Sequence, residues 1–367
     1  MKDMSKPLAQ YSAPINLPTN SPIRAAVTAS ADYPFTHVEA TVKLDQNESS
    51  EDFPEELKAL ALQRMTQQAW NRYPDLHADS LRDAIAAYEK WPADGIVVTT
   101  GSNVLIALLT QLSGIGRRVV TVAPNFALYA LGARLLDVDL SEVALRPDFS
   151  LDVAALVAVI RQRAGGVVYL PQPHAPTGTL AAQQDLSEIL RASSDWLTVI
   201  DEAYYQFSAA DSTTLARQFP NTVLLRTFSK AWGLAGLRLG YALTTPDIAR
   251  QLQKLVPPFA VSTMQTAVAQ VALENPGYVI ERVKRVICER ERIVKALDTH
   301  PTWRAHPSAA NFILIRTPDA AQAYAQLLRH GVLVRRQDSL PGLAGCIRVT
   351  IGSKDENDAF LRAAWAT

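Results

Sequence analysis

Between residues 75 and 255 the chain alternates short apolar, β-branched runs with stretches of helical period, and no other feature constrains the fold as much. The spacing predicts strands over 95–99, 118–122, 166–170, 196–200, 222–226 and 239–243. Helices are expected between them over 80–90, 104–112, 125–135, 151–163, 182–192 and 246–254. Repetition of this kind builds an α/β fold with a mostly parallel sheet covered on both faces. Such a sheet binds ligands outside the carboxyl ends of its strands. Chemistry is therefore to be sought just past each strand.

The flanks differ. Residues 1–40 are rich in Pro, Ser, Thr and Ala and read as an extended arm, followed by a helix over 54–69 with Glu55 and Glu56 in its first turn. After the alternating region a long charged amphipathic helix over 277–297 leads to a smaller α+β unit. That unit has expected strands over 312–316, 332–335 and 346–350, and helices over 320–330 and 354–364. The division is an arm and small-domain contribution to residue 50, a large domain over 51–275, and a small domain over 276–367.

Composition excludes several classes. Lys and Arg number 36 against 36 Asp and Glu, so no electrostatic footprint marks a nucleic-acid or lipid partner. Two cysteines, Cys288 and Cys346, cannot build a disulfide framework or a metal cluster and read as reduced core thiols. The uncharged stretch 95–116 reaches membrane-spanning length, but its hydroxyls, amides and glycines make it a buried strand, a turn and a buried helix. No apolar leader opens the chain, and a cytoplasmic protein is expected.

Four segments carry chemistry. In TFSKAWGLAGLRLGY, Lys230 follows an expected strand and is flanked by Thr227 and Ser229, with Arg238 eight positions on. Among Trp232, Leu234 and Leu237 a lysine is desolvated, which favours the free amine that a Schiff base needs. Thr227, Ser229 and Arg238 are residue types that hold a phosphate. In WLTVIDEAYYQF, Asp201 ends a strand, where a carboxylate can pair with a protonated pyridine nitrogen or cap a helix, and Tyr204 lies three positions on. In VVTTGSNVLIALL, a strand passes through Gly101, Ser102 and Asn103 into a helix, whose first N–H groups make an anion site. In YLPQPHAPTG, prolines and a glycine stiffen a loop after a strand.

Together these segments resemble the fold-type I pyridoxal-phosphate aminotransferases, and within them the histidinol-phosphate aminotransferase family. LDQNESS at 44–50, NRYPD at 71–75 and VLVRRQ with GCIRVTIG near the C-terminus carry the narrower resemblance, which spans about residues 40–365. It implies a three-layer large domain and pyridoxal 5'-phosphate as cofactor. It assigns Lys230 as the Schiff-base lysine, Asp201 as partner of the pyridine nitrogen and Tyr204 as partner of the ring hydroxyl. Ser102, Asn103, Thr227, Ser229 and Arg238 would hold the phosphate, and Phe126 would stack on the ring where a tyrosine is usual. Tyr73 would reach the phosphate of a neighbouring subunit's cofactor, which implies a homodimer with shared sites. Asn47, Glu48, Arg335 and Arg348 fall on the substrate side. Ala175 stands where the family loop has an asparagine touching the ring oxygen, leaving Tyr204, His174 or a water to serve that atom.

The resemblance implies transfer of an amino group between L-histidinol phosphate and 2-oxoglutarate, giving imidazole-acetol phosphate and L-glutamate, in histidine biosynthesis. Enzymes sharing these motifs include aromatic and other amino-acid aminotransferases and phospho-amino-acid decarboxylases, which differ only in the substrate pocket. A non-enzymatic cofactor-binding regulator is disfavoured by the intact Lys230. The six histidines show no metal spacing, and the six tryptophans and the Glu/Arg-rich helix read as packing and as a solvated face.

Overall fold

A computed structural model describes residues 21–33, 37–208 and 210–366, so most of the N-terminal arm expected over 1–40 lies outside the described residues. Seven strands form the large sheet: β1 (Ile96–Thr99), β2 (Arg118–Ala123), β3 (Asp139–Ala144), β4 (Val167–Pro171), β5 (Leu197–Asp201), β6 (Thr222–Thr227) and β7 (Gly240–Leu243). Their order is β1-β7-β6-β5-β4-β2-β3. All run parallel except β7, which is antiparallel to both neighbours. Strands β4, β5, β6 and β7 are buried along their whole length, as the covering helices require.

One apolar layer is built on Leu81, Ile85, Leu156, Leu186 and Trp232, the opposite layer on Leu105, Leu109, Tyr129 and Leu252. The alternation of successive side chains across the sheet sorts residues between them: Val97 joins one layer and Val98 the other. The sequence reading missed β3, an edge strand half of whose residues are polar and most of which are at least partly exposed, and the helix Thr263–Glu274, whose small residues give little contrast between faces.

The helix Gly277–Leu297 is bounded as expected and carries ion pairs such as Lys284–Glu281 and Arg292–Glu289 on its outer face. Arg282 is a correction to the solvated-face reading. It is buried, and donates to the carbonyls of Asp52 at 2.8 Å and Ala231 at 3.3 Å. Beyond the helix an antiparallel sheet pairs Arg335–Arg336, Cys346–Thr350, Phe312–Arg316 and Arg304–Ala305 in that order. The strand expected over 332–335 is divided: Val332–Leu333 instead pairs in parallel with Val42–Lys43 from the N-terminal part. Leu44 joins Ile313, Ile347 and Phe360 in a separate apolar cluster. Two core expectations fail. Cys288 lies exposed on the long helix while Cys346 is buried, and Trp70 and Trp365 are exposed. Among the described residues, no helix is long and apolar enough to cross a membrane.

Candidate active site

The carboxyl edge of the large sheet gathers the residues singled out above. Asp201 ends β5 opposite Pro171 of β4, and Thr227 ends β6 opposite Gly240. Gly240 also faces Thr99, so the turns leaving β1 and β6 rise on either side of β7.

Gly101 has φ +98°, a conformation open to glycine, and leads into the helix Ser102–Ser113. The first N–H groups of a helix lack intrahelical acceptors and carry its positive dipole end. A Cβ on Gly101 would lie 2.8 Å from an Arg238 nitrogen, and one on Gly240 would overlap the Ser102 nitrogen. The two glycines thus let the guanidinium and the helix start approach each other. Arg238 itself adopts φ +53° and donates to the Ala235 carbonyl at 3.1 Å and to Ser229 Oγ at 3.4 Å. Ser229 is fixed by its own N–H, which donates to Thr227 Oγ1 at 3.1 Å, while Thr227 Oγ1 donates to the Leu239 carbonyl at 3.2 Å. The result is a cup of amides, hydroxyls and a guanidinium, which suits a phosphate.

Lys230 stands beside the cup. Burial, with help from Arg348, lowers its pKa to about 8, and Glu48 opposes the shift. Its Nζ donates to the Gln46 carbonyl at 3.0 Å and lies 5.8 Å from the centre of the Tyr204 ring.

Asp201 is buried and does not cap a helix. Its Oδ1 accepts from the Ala203 N–H at 3.1 Å and its Oδ2 from the Tyr129 hydroxyl at 2.7 Å. Burial raises its pKa, and these two donors pull it back. Tyr129 was not singled out from the sequence. It lies one turn after Phe126, a spacing that shares a helix face, and its ring stacks on Tyr169 at 4.9 Å. Phe126 meets Tyr129 edge to face, 5.9 Å between centres. Glu202 faces the other way, into a buried network with Arg226 at 2.7 Å; Arg226 also pairs with Glu89, which accepts from the Tyr241 hydroxyl.

Tyr204 packs edge to face on Phe312, 5.1 Å between centres, and shares a small apolar cluster with Ala175 and Ala310. Its hydroxyl accepts from Asn47 Nδ2 at 2.9 Å. Burial raises its pKa, and Arg348 and Asn47 oppose the rise. His174 bonds Thr177 Oγ1 at 2.7 Å within its own loop, and burial lowers its pKa to about 4, which keeps it neutral. Asn47, not His174, is the side chain that reaches Tyr204.

Arg335 and Arg348 face each other in register on adjacent strands. Arg348 Nη2 donates to the Asp45 carbonyl at 2.7 Å, its guanidinium lies 5.4 Å from the Phe312 ring centre, and its buried Nε has no partner among the described residues. Glu48 sits 4.0 Å from Lys43 and is exposed. Tyr73 is the outlier: it is 82% exposed and stacks on Phe259 at 4.7 Å, with no bond to the other candidates.

A phosphate cup, a desolvated amine, a buried carboxylate and a phenol, set along one sheet edge, fit the phosphate, aldehyde, ring nitrogen and ring oxygen of pyridoxal 5'-phosphate. The comparisons agree. The family profile described as "Aminotransferase class I and II" matches residues 39–363. A histidinol-phosphate aminotransferase of Deinococcus radiodurans is 50% identical over 95% of this chain and 97% of its own length. One from Thermococcus kodakarensis is 38% identical over 93% of this chain and 97% of its own. The solved histidinol-phosphate aminotransferase of Sinorhizobium meliloti, in complex with pyridoxal-5'-phosphate, superposes with a TM-score of 0.81 at 26% identity, covering 89% of this chain and 90% of that one. The chain is a pyridoxal-phosphate-dependent enzyme and belongs to the class I and II aminotransferases.

Proposed function

We propose that the chain is a histidinol-phosphate transaminase, exchanging an amino group between L-histidinol phosphate and 2-oxoglutarate. The name carried by its relatives supports this reading. The observation that carries it here is the in-register pair Arg335 and Arg348, with the buried Arg348 Nε lacking a partner among the described residues. One arginine suffices for an α-carboxylate. A second beside it suits a second anion, such as the phosphate of histidinol phosphate or the side-chain carboxylate of glutamate.

When bound, pyridoxal phosphate supplies a ring that accepts electron density from the substrate carbon losing its proton. The residues of this chain do the rest. Ser102 and Asn103 through their backbone, with Thr227, Ser229 and Arg238, would hold the phosphate, and Phe126 would cover the ring. Asp201 would keep the ring nitrogen protonated, and Tyr204, packed against Ala175, would donate to the ring oxygen. Lys230, with its lowered pKa, is a competent base at neutral pH, and would take the proton from the substrate Cα and return it, across the amino nitrogen, to the carbon that was the cofactor's aldehyde. Arg348 would grip the glutamate carboxylate and Arg335 the second anion, with Asn47 and Glu48 on the substrate side.

The same reading makes the active unit a cytoplasmic homodimer. Exposed Tyr73 would reach the phosphate held by a neighbouring subunit. The division into 1–50, 51–275 and 276–367 goes with it, the first segment serving the small domain.

The test is half-reaction spectroscopy. Holoenzyme is mixed in turn with glutamate, histidinol phosphate, histidinol and phenylalanine, and loss of the visible cofactor band is followed. Glutamate and histidinol phosphate should react fast, with histidinol and phenylalanine at least tenfold slower. Arg335→Ala should raise KM for histidinol phosphate by roughly 10- to 150-fold, the worth of a charged hydrogen bond. Equal rates for histidinol and its phosphate would hand the reaction to the general or aromatic aminotransferase reading.

A further inference from the structure

Three consecutive residues of the strap that follows Val42–Lys43 each touch a different part of the site. The Asp45 carbonyl accepts from Arg348, the Gln46 carbonyl from Lys230, and the Asn47 amide donates to Tyr204. Asn47 is held more firmly than a substrate-facing side chain needs to be. It is 1% exposed and sits at φ +55°. Its N–H donates to Thr350 Oγ1 at 2.9 Å, its Oδ1 accepts from Thr350 Oγ1 at 3.2 Å, and its carbonyl accepts from Asn311 Nδ2 at 3.1 Å.

With Oδ1 taken by the Thr350 hydroxyl, the Nδ2 group faces Tyr204, and an amide nitrogen can only donate. The Tyr204 oxygen must then accept, and its proton is left to point elsewhere. Ala175, the loop residue packed by Tyr204, has no polar side-chain atom to compete for that hydroxyl.

We infer that Asn47 is a positioning residue for Tyr204: its clamped amide occupies the phenol's lone pair, and so directs the Tyr204 O–H at the ring oxygen of the cofactor and strengthens it as a donor. The inference rests on the reading of Tyr204 as that oxygen's partner. It moves Asn47 from the substrate side to the cofactor side. It also ties the tyrosine to the small domain, since Thr350 lies two residues after Arg348 on the same strand.

Three charges face the Tyr204 ring region: Arg348, Asp201 and Lys230. None is altered by changing Asn47, which makes substitution informative. Alanine would be strained at φ +55°, whereas Gly and Asp tolerate it. Asn47→Gly removes the donor. Asn47→Asp keeps the shape but offers acceptors and adds a negative charge, so it competes for the Tyr204 proton while its charge alone also raises the midpoint, which makes Asn47→Gly the deciding variant.

The experiment is a pH titration of the visible band of the holoenzyme, with a tryptophan-fluorescence titration of the apoprotein with pyridoxal phosphate. A ring oxygen that loses a good donor holds its own proton more tightly. The band's pH midpoint should therefore rise by roughly half a unit to one unit in Asn47→Gly and further in Asn47→Asp. The Kd for pyridoxal phosphate should rise by about 3- to 10-fold, the worth of one ordinary hydrogen bond. In a Tyr204→Phe background, Asn47→Gly should shift the midpoint no further. If Tyr204→Phe moves the midpoint but Asn47→Gly does not, or if Asn47→Gly still moves it without the phenol, the positioning role is overturned while Tyr204 keeps its place. If Tyr204→Phe itself leaves the midpoint unmoved, both readings fall.

Discussion

The Tyr129 hydroxyl donates to Asp201 Oδ2 at 2.7 Å, and both groups are buried. A buried carboxylate with two donors stays ionised more readily than one with a single donor. Removing Tyr129's bond raises the Asp201 pKa further in the direction burial already takes it. Activity that needs this carboxylate ionised is lost as pH falls through its pKa. Tyr129→Phe should therefore move the acid limb of kcat/KM to higher pH and lower kcat by about tenfold, in keeping with a charged hydrogen bond of about 1.5–3 kcal/mol. A pH profile superimposable on wild type would refute this.

Lys230 gives a stability prediction for the cofactor-free protein. Its folded pKa of about 8 lies below the ordinary 10.5. Between those values the unfolded chain binds the extra proton, so the lysine's contribution grows more favourable with rising pH. Below pH 8 both states are protonated and the folded state bears the full cost of burying the charge. Lys230→Met should accordingly stabilise the apoprotein at pH 7 by about 1–2 kcal/mol, the full shift discounted for partial access of water. Urea titrations should show that gain shrinking between pH 8 and 10.5. The same substitution should abolish the visible band that the bound cofactor gives with the lysine.

Gly240→Ala tests the anion cup without touching a charged group. The added Cβ would overlap the Ser102 nitrogen, so the helix start must move away from Gly240 and out of its place in the cup. We expect a Kd for inorganic phosphate and for pyridoxal phosphate raised more than tenfold, with a stability loss of about 1–3 kcal/mol from overpacking. Unchanged phosphate affinity in a folded variant would place the cup elsewhere.

Subunit mixing tests Tyr73. In a hybrid of Tyr73→Phe with Lys230→Ala, both lesions fall in one site if Tyr73 serves its neighbour. The second site is then intact, and activity should exceed that of either parent variant. Failure of verified hybrids to recover would assign Tyr73 to its own subunit.

The parallel sheet was legible because runs such as VVYLP and LTVID are buried on both faces and read as continuous apolar strands. The helix Gly277–Leu297 and the strand Cys346–Thr350 could be bounded from pattern alone. DLSEVA was not, since an edge strand alternates weakly and carries charges. In the site, Lys230, Asp201 and Arg238 stood out because each lies just past a strand or in one short excursion. Tyr129 and the role of Asn47 did not. Tyr129 meets Asp201 across 72 positions, and Asn47 meets Tyr204 across 157. Such pairings belong to tertiary packing, and no local spacing announces them.

The place of β7 between β1 and β6 sets a length. Gly240 is the register partner of both Thr99 and Thr227, so the helix start after β1 and the hydroxyls of Thr227 and Ser229 after β6, the two halves of the anion cup, are carried on strands one intervening strand apart. Two interstrand spacings come to roughly 10 Å, a dimension fixed by backbone hydrogen bonding and indifferent to side-chain identity. The sheet therefore acts as a ruler for the mouth of the cup. Exchanges among Thr227, Ser229 and Arg238 should therefore tune how tightly a phosphate is held, while the spacing of the two strand ends that carry the cup stays where backbone hydrogen bonding puts it.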